Sequence, residues 1–334
     1  MAELFIELFS EEIPSKLQID ARKKIKEIID QKLKKKEINF KSSKSFSTPK
    51  RLVFFIEGIP EKIEQKKKII KGPSVKAPQE ALDGFIKSNN LNKSDVYKKN
   101  LEKGEFYFAE TKLKVIDVSK ELQSIIPEAL QSYSWKKSMK WSAYDLDWGR
   151  PLKSIIALFN NEVVNFNFFH LQSSDLTLVD GTNEDKIKKI NSFKTYLSVL
   201  KSQNIILDQE KRKKIILKKM NNICNARNLK NNFNEKLIEE VVNLVEKPNV
   251  IVGKFDEIYL KIPQEILIVT MQQHQKYFPL FENNDKLTNL FLLVSNLVDK
   301  KGYIKIGNQR VIEARLSDAK FFWDKNKTQS LVKQ

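Results

Sequence analysis

Short apolar runs alternate with longer amphipathic segments along this chain, and this alternation restricts the fold more than any other feature. The run Leu4 to Phe9 has the length of a buried strand. Residues 14–37 then repeat their apolar side chains at helical spacing. A second buried strand is predicted at Leu52 to Ile56. The pattern predicts an α+β fold in which helices pack on mixed or antiparallel sheets.

The remainder of the first half continues the alternation. The predicted elements are a helix at 78–89, a strand at Glu105–Val115, a helix at 118–133, and a hairpin of Leu152–Phe159 with Val163–Phe169 across Asn160-Asn161. These elements define a predicted N-terminal α+β domain over residues 1–175.

Residues 176–246 are predicted to form a helical insert or linking module. From Asn183 to Glu246 the chain is dense in lysine and contains neither Gly nor Pro, and the predicted helices cover 183–202, 208–228 and 234–246. Residues 247–334 are predicted to be a second α+β portion. Its elements are strands at Val250–Val252, Tyr277–Phe281 and Leu290–Asn296, and helices near 263–275 and 304–323. The pattern at Gln334 is helical without a cap, which is typical of a chain cut from a longer one.

The charge balance is strongly basic. The net charge is +18, and only seven of the 60 basic residues are arginine. An excess of lysine indicates nucleic-acid binding, although an AT-rich genome would also inflate Lys, Asn and Ile. Arginine retained against such a bias favours bidentate bonding to phosphate, with buried ion pairing as the equally weighted alternative. The seven are Arg22, Arg51, Arg150, Arg212, Arg227, Arg310 and Arg315.

Residues suited to catalysis are scarce. The chain has two histidines, one cysteine and nine glycines, and neither phosphate-loop, dinucleotide nor nucleophile-elbow motifs occur. The single Cys224 excludes an internal disulfide, and no apolar run reaches the roughly 20 residues that span a bilayer. We therefore predict a cytoplasmic binding or partner subunit with no catalytic residue, no metal site and no membrane contact.

Five ordered segments resemble the beta subunit of bacterial two-subunit glycyl-tRNA synthetases. They are Leu4 to Pro14, Thr48-Pro49-Lys50-Arg51-Leu52, Met139 to Pro151 with its Trp148-Gly149-Arg150-Pro151, Gln275-Lys276-Tyr277-Phe278-Pro279, and Gly307 to Phe322. One departure is clear, because Gly181-Thr182-Asn183-Glu184 stands where the family usually carries Gly-His-Arg-Phe. Any role of that His and Arg is in doubt in this chain.

The resemblance implies a function as well as a family. Members are longer, with a His-Asp-type helical domain and an anticodon-binding domain. They pair with an alpha subunit as an α2β2 heterotetramer that joins glycine to tRNA(Gly). ATP, with Mg²⁺, is used by the alpha subunit, so this chain is expected to bind no cofactor and to be inactive alone.

The matched segments supply the candidates for RNA contact, which are Lys50, Arg51, Arg150, Lys276, Arg310 and Arg315. Trp141, Tyr277 and Phe278 are possible base-stacking residues, but core packing is favoured for them and for Phe321-Phe322-Trp323. Arg315 and Asp318 are one turn apart on a predicted helix and could pair with each other. His274 is predicted to be a structural hydrogen-bonding residue.

Two other functions fit parts of the pattern. A general RNA-binding or ribosome-associated module without a synthetase partner has the same composition, and only the five ordered segments argue against it. A free-standing hydrolase using unmarked carboxylates is disfavoured by the missing histidines and glycine loops.

Overall fold

The computed structural model describes residues 2–64, 69–101, 104–110, 115–179 and 187–328. The first part of the chain builds a sheet, a helix and a projecting arm. Its elements are β1 (Ala2–Ser10), α1 (Ser15–Lys35), β2 (Ser42–Thr48), β3 (Arg51–Ile59), β4 (Lys62–Glu64), β5 (Ile69–Ser74), α2 (Gln79–Ser88), β6 (Val96–Leu101), β7 (Gly104–Glu110), β8 (Val115–Asp117) and α3 (Val118–Gln131).

The middle of the chain completes the first sheet and then becomes helical. Its elements are β9 (Leu152–Phe159), β10 (Glu162–Val163), β11 (Asn167–Phe168), β12 (Leu171–Ser174), β13 (Leu176–Leu178), β14 (Ile187–Lys189), α4 (Phe193–Ser202), α5 (Gln209–Ala226) and α6 (Glu235–Val242). The last part contains β15 (Asn249–Lys254), α7 (Gln264–Val269), β16 (Phe278–Phe281), β17 (Leu287–Ser295) and α8 (Tyr303–Thr328).

The main sheet has the strand order β11-β12-β9-β1-β3-β2, with β10 added on β9. β1 pairs antiparallel with β3 and β9, whereas β12 runs parallel to β9, so the predicted mixed and antiparallel pairing is confirmed. Both faces of β1 are covered, and only Glu3 of its nine residues is exposed. Leu4, Ile6 and Leu8 face the core formed with α1 and α3, while Phe5 faces a second core that includes α4.

The second sheet is smaller and antiparallel, in the order β15-β17-β16. Phe278 and Leu292 pack against α5 and α6 on one face. Phe291 packs against α7 and α8 on the other face. The helices of 176–246 are therefore shared between two cores, with α4 on the main sheet and α5 and α6 on the second. The division of the chain into three domains stays a prediction.

Most predicted elements are confirmed with small shifts, and two are wrong. Residues 187–189 are a strand paired with β13, and α4 begins only after Ser192, whose hydroxyl accepts the Thr195 amide. Residues 183–186 of that predicted helix lie outside the described residues. The predicted strand Val163–Phe169 is broken, because only Glu162–Val163 pairs with β9 and Asn167–Phe168 pairs with β12. The turn itself is confirmed, with Asn160 and Asn161 both in the left-handed region.

Helices long and apolar enough to cross a bilayer are absent from the part of the chain that the structure describes.

Candidate nucleic-acid interface

Arg51 lies inside the molecule, 1% exposed, at the start of β3. Its Nη1 is 2.8 Å from the Glu246 carboxylate and its Nε is 3.3 Å from the Glu7 carboxylate. Nη2 donates to the Leu178 carbonyl, and the guanidinium lies 4.9 Å from the centroid of the Phe9 ring. Every edge of the guanidinium faces protein. The prediction that Arg51 contacts RNA directly is replaced by the buried ion pair that was its alternative.

The carboxylate of Glu7 completes this cluster from the centre of β1. It accepts hydrogen bonds from the Thr177 hydroxyl at 2.6 Å and from the Tyr196 hydroxyl. Burial raises the pKa of Glu7, against the opposing attraction of Arg51. The cluster joins β1 and β3 to β13, to α4 and to Glu246, which lies four residues after the end of α6. Its role is to hold these parts of the chain together.

Arg212 is a second buried arginine, and it was not among the predicted RNA contacts. Its guanidinium donates to four backbone carbonyls, those of Val242 at 3.0 Å, Ile206 at 2.6 Å, Leu207 at 2.8 Å and Ser47 at 2.7 Å. Burial lowers its pKa to about 10. The fork geometry of arginine meets carbonyls from three segments at once, which a lysine cannot do. The only signal for this role in the sequence was an arginine within a lysine-rich helix.

Lys50 and Arg150 are brought together at one end of the main sheet. The Ser10 amide donates to the Lys50 carbonyl at 2.9 Å, and the Glu11 amide donates to the Pro151 carbonyl at 2.9 Å. Three of the five matched segments therefore meet at this edge. Both side chains are half-buried, and Arg150 donates to the Gly149 carbonyl at 2.7 Å. Among the described ion pairs neither residue has a carboxylate partner, so both remain candidates for phosphate.

Packing against Trp135 explains why a glycine stands at position 149, just before Arg150. A Cβ at this position would collide with the Trp135 ring. The absence of a side chain lets the Arg150 turn lie directly against the aromatic cluster of Trp135 and Trp148.

Lys276 lines a groove of about 360 Å³ between the start of α1 and α6. Its ammonium is 3.0 Å from the Glu240 carboxylate, so the side chain is turned towards α6. Its backbone is in the left-handed region, with φ of 60°. Lys16 and Lys236 line the same groove and have no carboxylate partner among the described ion pairs. This groove begins where the first matched segment ends, which places the fourth segment beside the first.

Arg310 and Arg315 lie apart from the other candidates, exposed on α8. The suggested pair of Arg315 with Asp318 does not occur among the described ion pairs. His274 is exposed, and in the described part of the chain its side chain makes no hydrogen bond. Its predicted structural bond is therefore not found.

Among the aromatic candidates, Tyr277 and Phe278 are buried, as favoured. The Tyr277 ring stacks on Phe291 at 4.7 Å, and its hydroxyl donates to Asn308 at 2.6 Å. Trp141 is half-buried against the first core. Phe321 and Phe322 are 63% and 60% exposed, so the prediction that they are core residues is wrong for both.

Another positive concave surface lies between α4, α5 and the turn after β17. We name it the lysine groove. Its volume is about 630 Å³, and its lining residues are Lys201, Gln203, Asn204, Ile205, Ile206, Ile215, Lys219, Lys247, Pro248, Asn249, Asn296, Leu297 and Val298. Three lysines and four amide side chains face a space without a lining carboxylate. Lysine density over 183–246 was the signal for it, but sequence alone did not place Lys247 in the same groove.

The outer face of α5 extends the positive surface. Lys211, Lys214 and Lys218 follow at helical spacing, are exposed, and have no carboxylate partner among the described ion pairs. The Lys219 ammonium donates to the Pro248 carbonyl at 2.8 Å. Ammonium groups without a carboxylate partner attract a polyanion, and amides can bond its phosphate or base edges. Groups of His, Cys, Asp and Glu that could hold a metal ion are absent from the described residues. The lysine groove and the outer face of α5 are suited to binding a polyanion.

Comparison with known proteins gives a consistent result. A family model described as "Glycyl-tRNA synthetase beta subunit" matches residues 4–334. The proteins named glycine–tRNA ligase beta subunit from Rickettsia typhi and Rickettsia prowazekii are 37% and 36% identical over 325 residues, which is 97% of this chain and 49% of each relative. That of Rickettsia akari is 35% identical over 332 residues, 99% of this chain and 50% of the relative. The chain thus spans about half the length of the curated relatives it matches.

Proposed function

The chain belongs to the glycyl-tRNA synthetase beta subunit family, as its five segments indicated, and on that premise we propose that it contributes tRNA binding to a two-subunit glycine–tRNA ligase. The observation that carries the proposal is the match over nearly the whole chain to relatives of that name. The carboxylate-free lysine groove supports it independently, since a tRNA ligand is a polyanion.

The proposed assembly divides the work between two chains. An alpha subunit binds glycine and ATP with Mg²⁺, and joins glycine to the terminal adenosine of tRNA(Gly) with release of AMP and pyrophosphate. This chain supplies no catalytic group and no cofactor site to that reaction. The subunits form an α2β2 heterotetramer in the cytoplasm.

Within this chain, the lysine groove and the outer face of α5 bind the tRNA backbone. Lys50 and Arg150 add a contact at the end of the main sheet, where neither side chain has a carboxylate partner among the described ion pairs. Lys276, Arg310 and Arg315 remain weaker candidates, because Lys276 already faces Glu240 and the two arginines lie apart on α8.

The test compares two triple variants in the full-length beta subunit purified with its alpha partner. The first replaces the groove lysines, as Lys201→Gln, Lys219→Gln and Lys247→Gln. The control removes the same charge from lysines that pair with carboxylates elsewhere, as Lys24→Gln, Lys36→Gln and Lys140→Gln. Affinity for tRNA(Gly) is measured over a salt series, and glycylation is measured alongside.

We expect the groove variant to have a shallower dependence of log affinity on log salt, by about 2–3 for three lost phosphate contacts. The control should change that slope far less. Equal slopes for both variants would remove the lysine groove from the interface. A wild-type assembly that binds RNA but neither retains the alpha partner nor charges tRNA(Gly) would favour the stand-alone RNA-binding module instead.

A further inference from the structure

The small sheet of the projecting arm has a face built of aromatic rings and lysines. The arm leaves the main sheet through the two-stranded ribbon of β4 and β8, in which Ile63 pairs with Ile116. Its sheet has the order β5-β7-β6. α2 covers one face, where a Cβ on Gly72 would meet the Phe85 ring of that helix.

The strand register determines which side chains share the other face. Phe108 on the central strand is opposite Lys71 on β5 and opposite Tyr97 on β6, and Lys99 is opposite Phe106. Residues directly opposite in an antiparallel pair project to the same side, as do alternate residues of one strand. Lys71, Tyr97, Lys99, Phe106 and Phe108 form what we call the aromatic face, and Glu110, two residues after Phe108, lies at its edge on the same side of the sheet.

The contacts within the aromatic face agree with the register. The Lys71 ammonium lies 3.6 Å from the centroid of the Phe106 ring, and the Lys99 ammonium lies 5.9 Å from that of Phe108. The rings of Tyr97 and Phe108 are stacked with centroids 6.2 Å apart. Neither lysine has a carboxylate partner among the described ion pairs. Both ammonium groups therefore rest on ring faces, where they are available to an anion.

The aromatic face is partly open. Tyr97 is 40% exposed, the neighbouring Ile69 and Leu101 are 60% and 40% exposed, and Phe106 is half-buried, whereas Phe108 at the centre is buried. The rings of Tyr97 and Phe106 are therefore the ones that a ligand can reach, beside lysine side chains that can move aside. The aromatic face therefore offers aromatic rings for stacking and ammonium groups for an anion at the same place.

We propose that the aromatic face binds unpaired nucleotides of the tRNA, with bases stacked on Phe106 and Tyr97 and phosphates held by Lys71 and Lys99. Sheets that present aromatic side chains with adjacent cations are suited to single-stranded RNA, because stacking needs no base pairing partner and the lysines neutralise the backbone. A polyanion is favoured as the ligand over an apolar peptide, because Lys71 and Lys99 have no carboxylate partner among the described ion pairs. The inference rests on the proposed function and specifies one of its contact surfaces.

The test uses variants that keep the arm folded. Phe106→Leu retains apolar volume but removes the ring, and Lys71→Gln with Lys99→Gln removes both cations. The matched control, Lys87→Gln with Lys98→Gln, removes the same charge from exposed positions on α2 and on the opposite side of β6. Each is made in the full-length beta subunit with its alpha partner. Affinity is measured for tRNA(Gly), a twelve-nucleotide unpaired RNA and a twelve-base-pair RNA duplex.

We expect Phe106→Leu to weaken binding of the unpaired RNA about fivefold or more, with little change for the duplex. The double lysine variant should lower the salt slope for the unpaired RNA by about 1.4. Photocrosslinking of 4-thiouridine-substituted tRNA should label residues 96–108.

Three results would overturn the inference. The first is that Phe106→Leu binds the unpaired RNA with unchanged affinity. The second is that the control pair, Lys87→Gln with Lys98→Gln, loses as much affinity as Lys71→Gln with Lys99→Gln. The third is that a variant of the aromatic face dissociates from the alpha partner while binding tRNA normally, which would make this face a subunit contact. If wild type itself bound no tRNA, the proposed function would fail, so the two failures are distinguishable.

Discussion

Replacing Arg51 by methionine tests the buried cluster most directly. The substitution keeps much of the side-chain volume but removes the cation between Glu7 and Glu246, which are 0% and 6% exposed. Both carboxylates then stay buried without their 2.8 Å and 3.3 Å partner. Breaking a buried pair by removing one partner costs about 3–5 kcal/mol. A loss of that size is a large part of the stability of a typical domain.

The assay is urea unfolding followed by circular dichroism, giving the free energy of unfolding from the midpoint and slope. Arg310→Met is the control, because an exposed substitution is expected to stay within about 0.5 kcal/mol of wild type. Adding Glu246→Gln to Arg51→Met should recover part of the loss, since the second change removes one of the two stranded charges.

A loss below about 1 kcal/mol for Arg51→Met, or no recovery in the double variant, would refute the buried-pair reasoning. A third outcome is equally informative. If Arg51→Met folded with normal stability but bound tRNA less tightly, the residue would belong to the RNA interface after all.

Two further predictions concern Glu7 and Gly149. Because burial raises the pKa of Glu7 above its usual value, the folded state binds a proton at Glu7 more tightly than the unfolded state does, and the resulting stabilisation is fully present below the unfolded pKa and is lost as pH rises through the folded pKa. The unfolding free energy of wild type minus that of Glu7→Gln should therefore decrease from pH 4 to pH 7 in urea titrations, whereas a flat difference contradicts the raised pKa. Gly149→Ala should lower the free energy of unfolding by about 1–3 kcal/mol, because the new Cβ would meet the Trp135 ring. The control Gly84→Ala in α2, which has open space around it, should leave that free energy unchanged or raise it by up to about 1 kcal/mol. Equal effects of the two substitutions in thermal unfolding would contradict the predicted clash with Trp135.

Periodicity predicted the elements well where the local pattern was strong. α1, α3 and α5 and the strands β1, β3, β9 and β17 follow their apolar spacing. The errors occur where a competing local interaction or a distant partner decides the outcome. Ser192 caps α4 and delays its start, and β14 is held as a strand by pairing with β13.

The retained arginines divide between the interior of the protein and its surface. Arginine was kept where lysine does not serve, but Arg51 and Arg212 use that property inside the protein, on carboxylates and carbonyls. Arg310 and Arg315 are exposed, and Arg150 is half-buried at an edge. The same bidentate chemistry suits phosphate, carboxylate and carbonyl, so residue type cannot distinguish an interior site from an RNA contact.

What the sequence determined by itself is the set of local properties. These are the α+β class, the positions of most helices and strands, the excess of positive charge, and the family, whose motifs are short contiguous strings. Tertiary structure alone decided which charges meet. Arg51 and Glu246 are 195 residues apart, and the lysine groove brings Lys201, Lys247 and Asn296 together from three separate segments of the chain. Burial and electrostatic potential depend on distances in space, and no local period carries information about partners so distant in the chain.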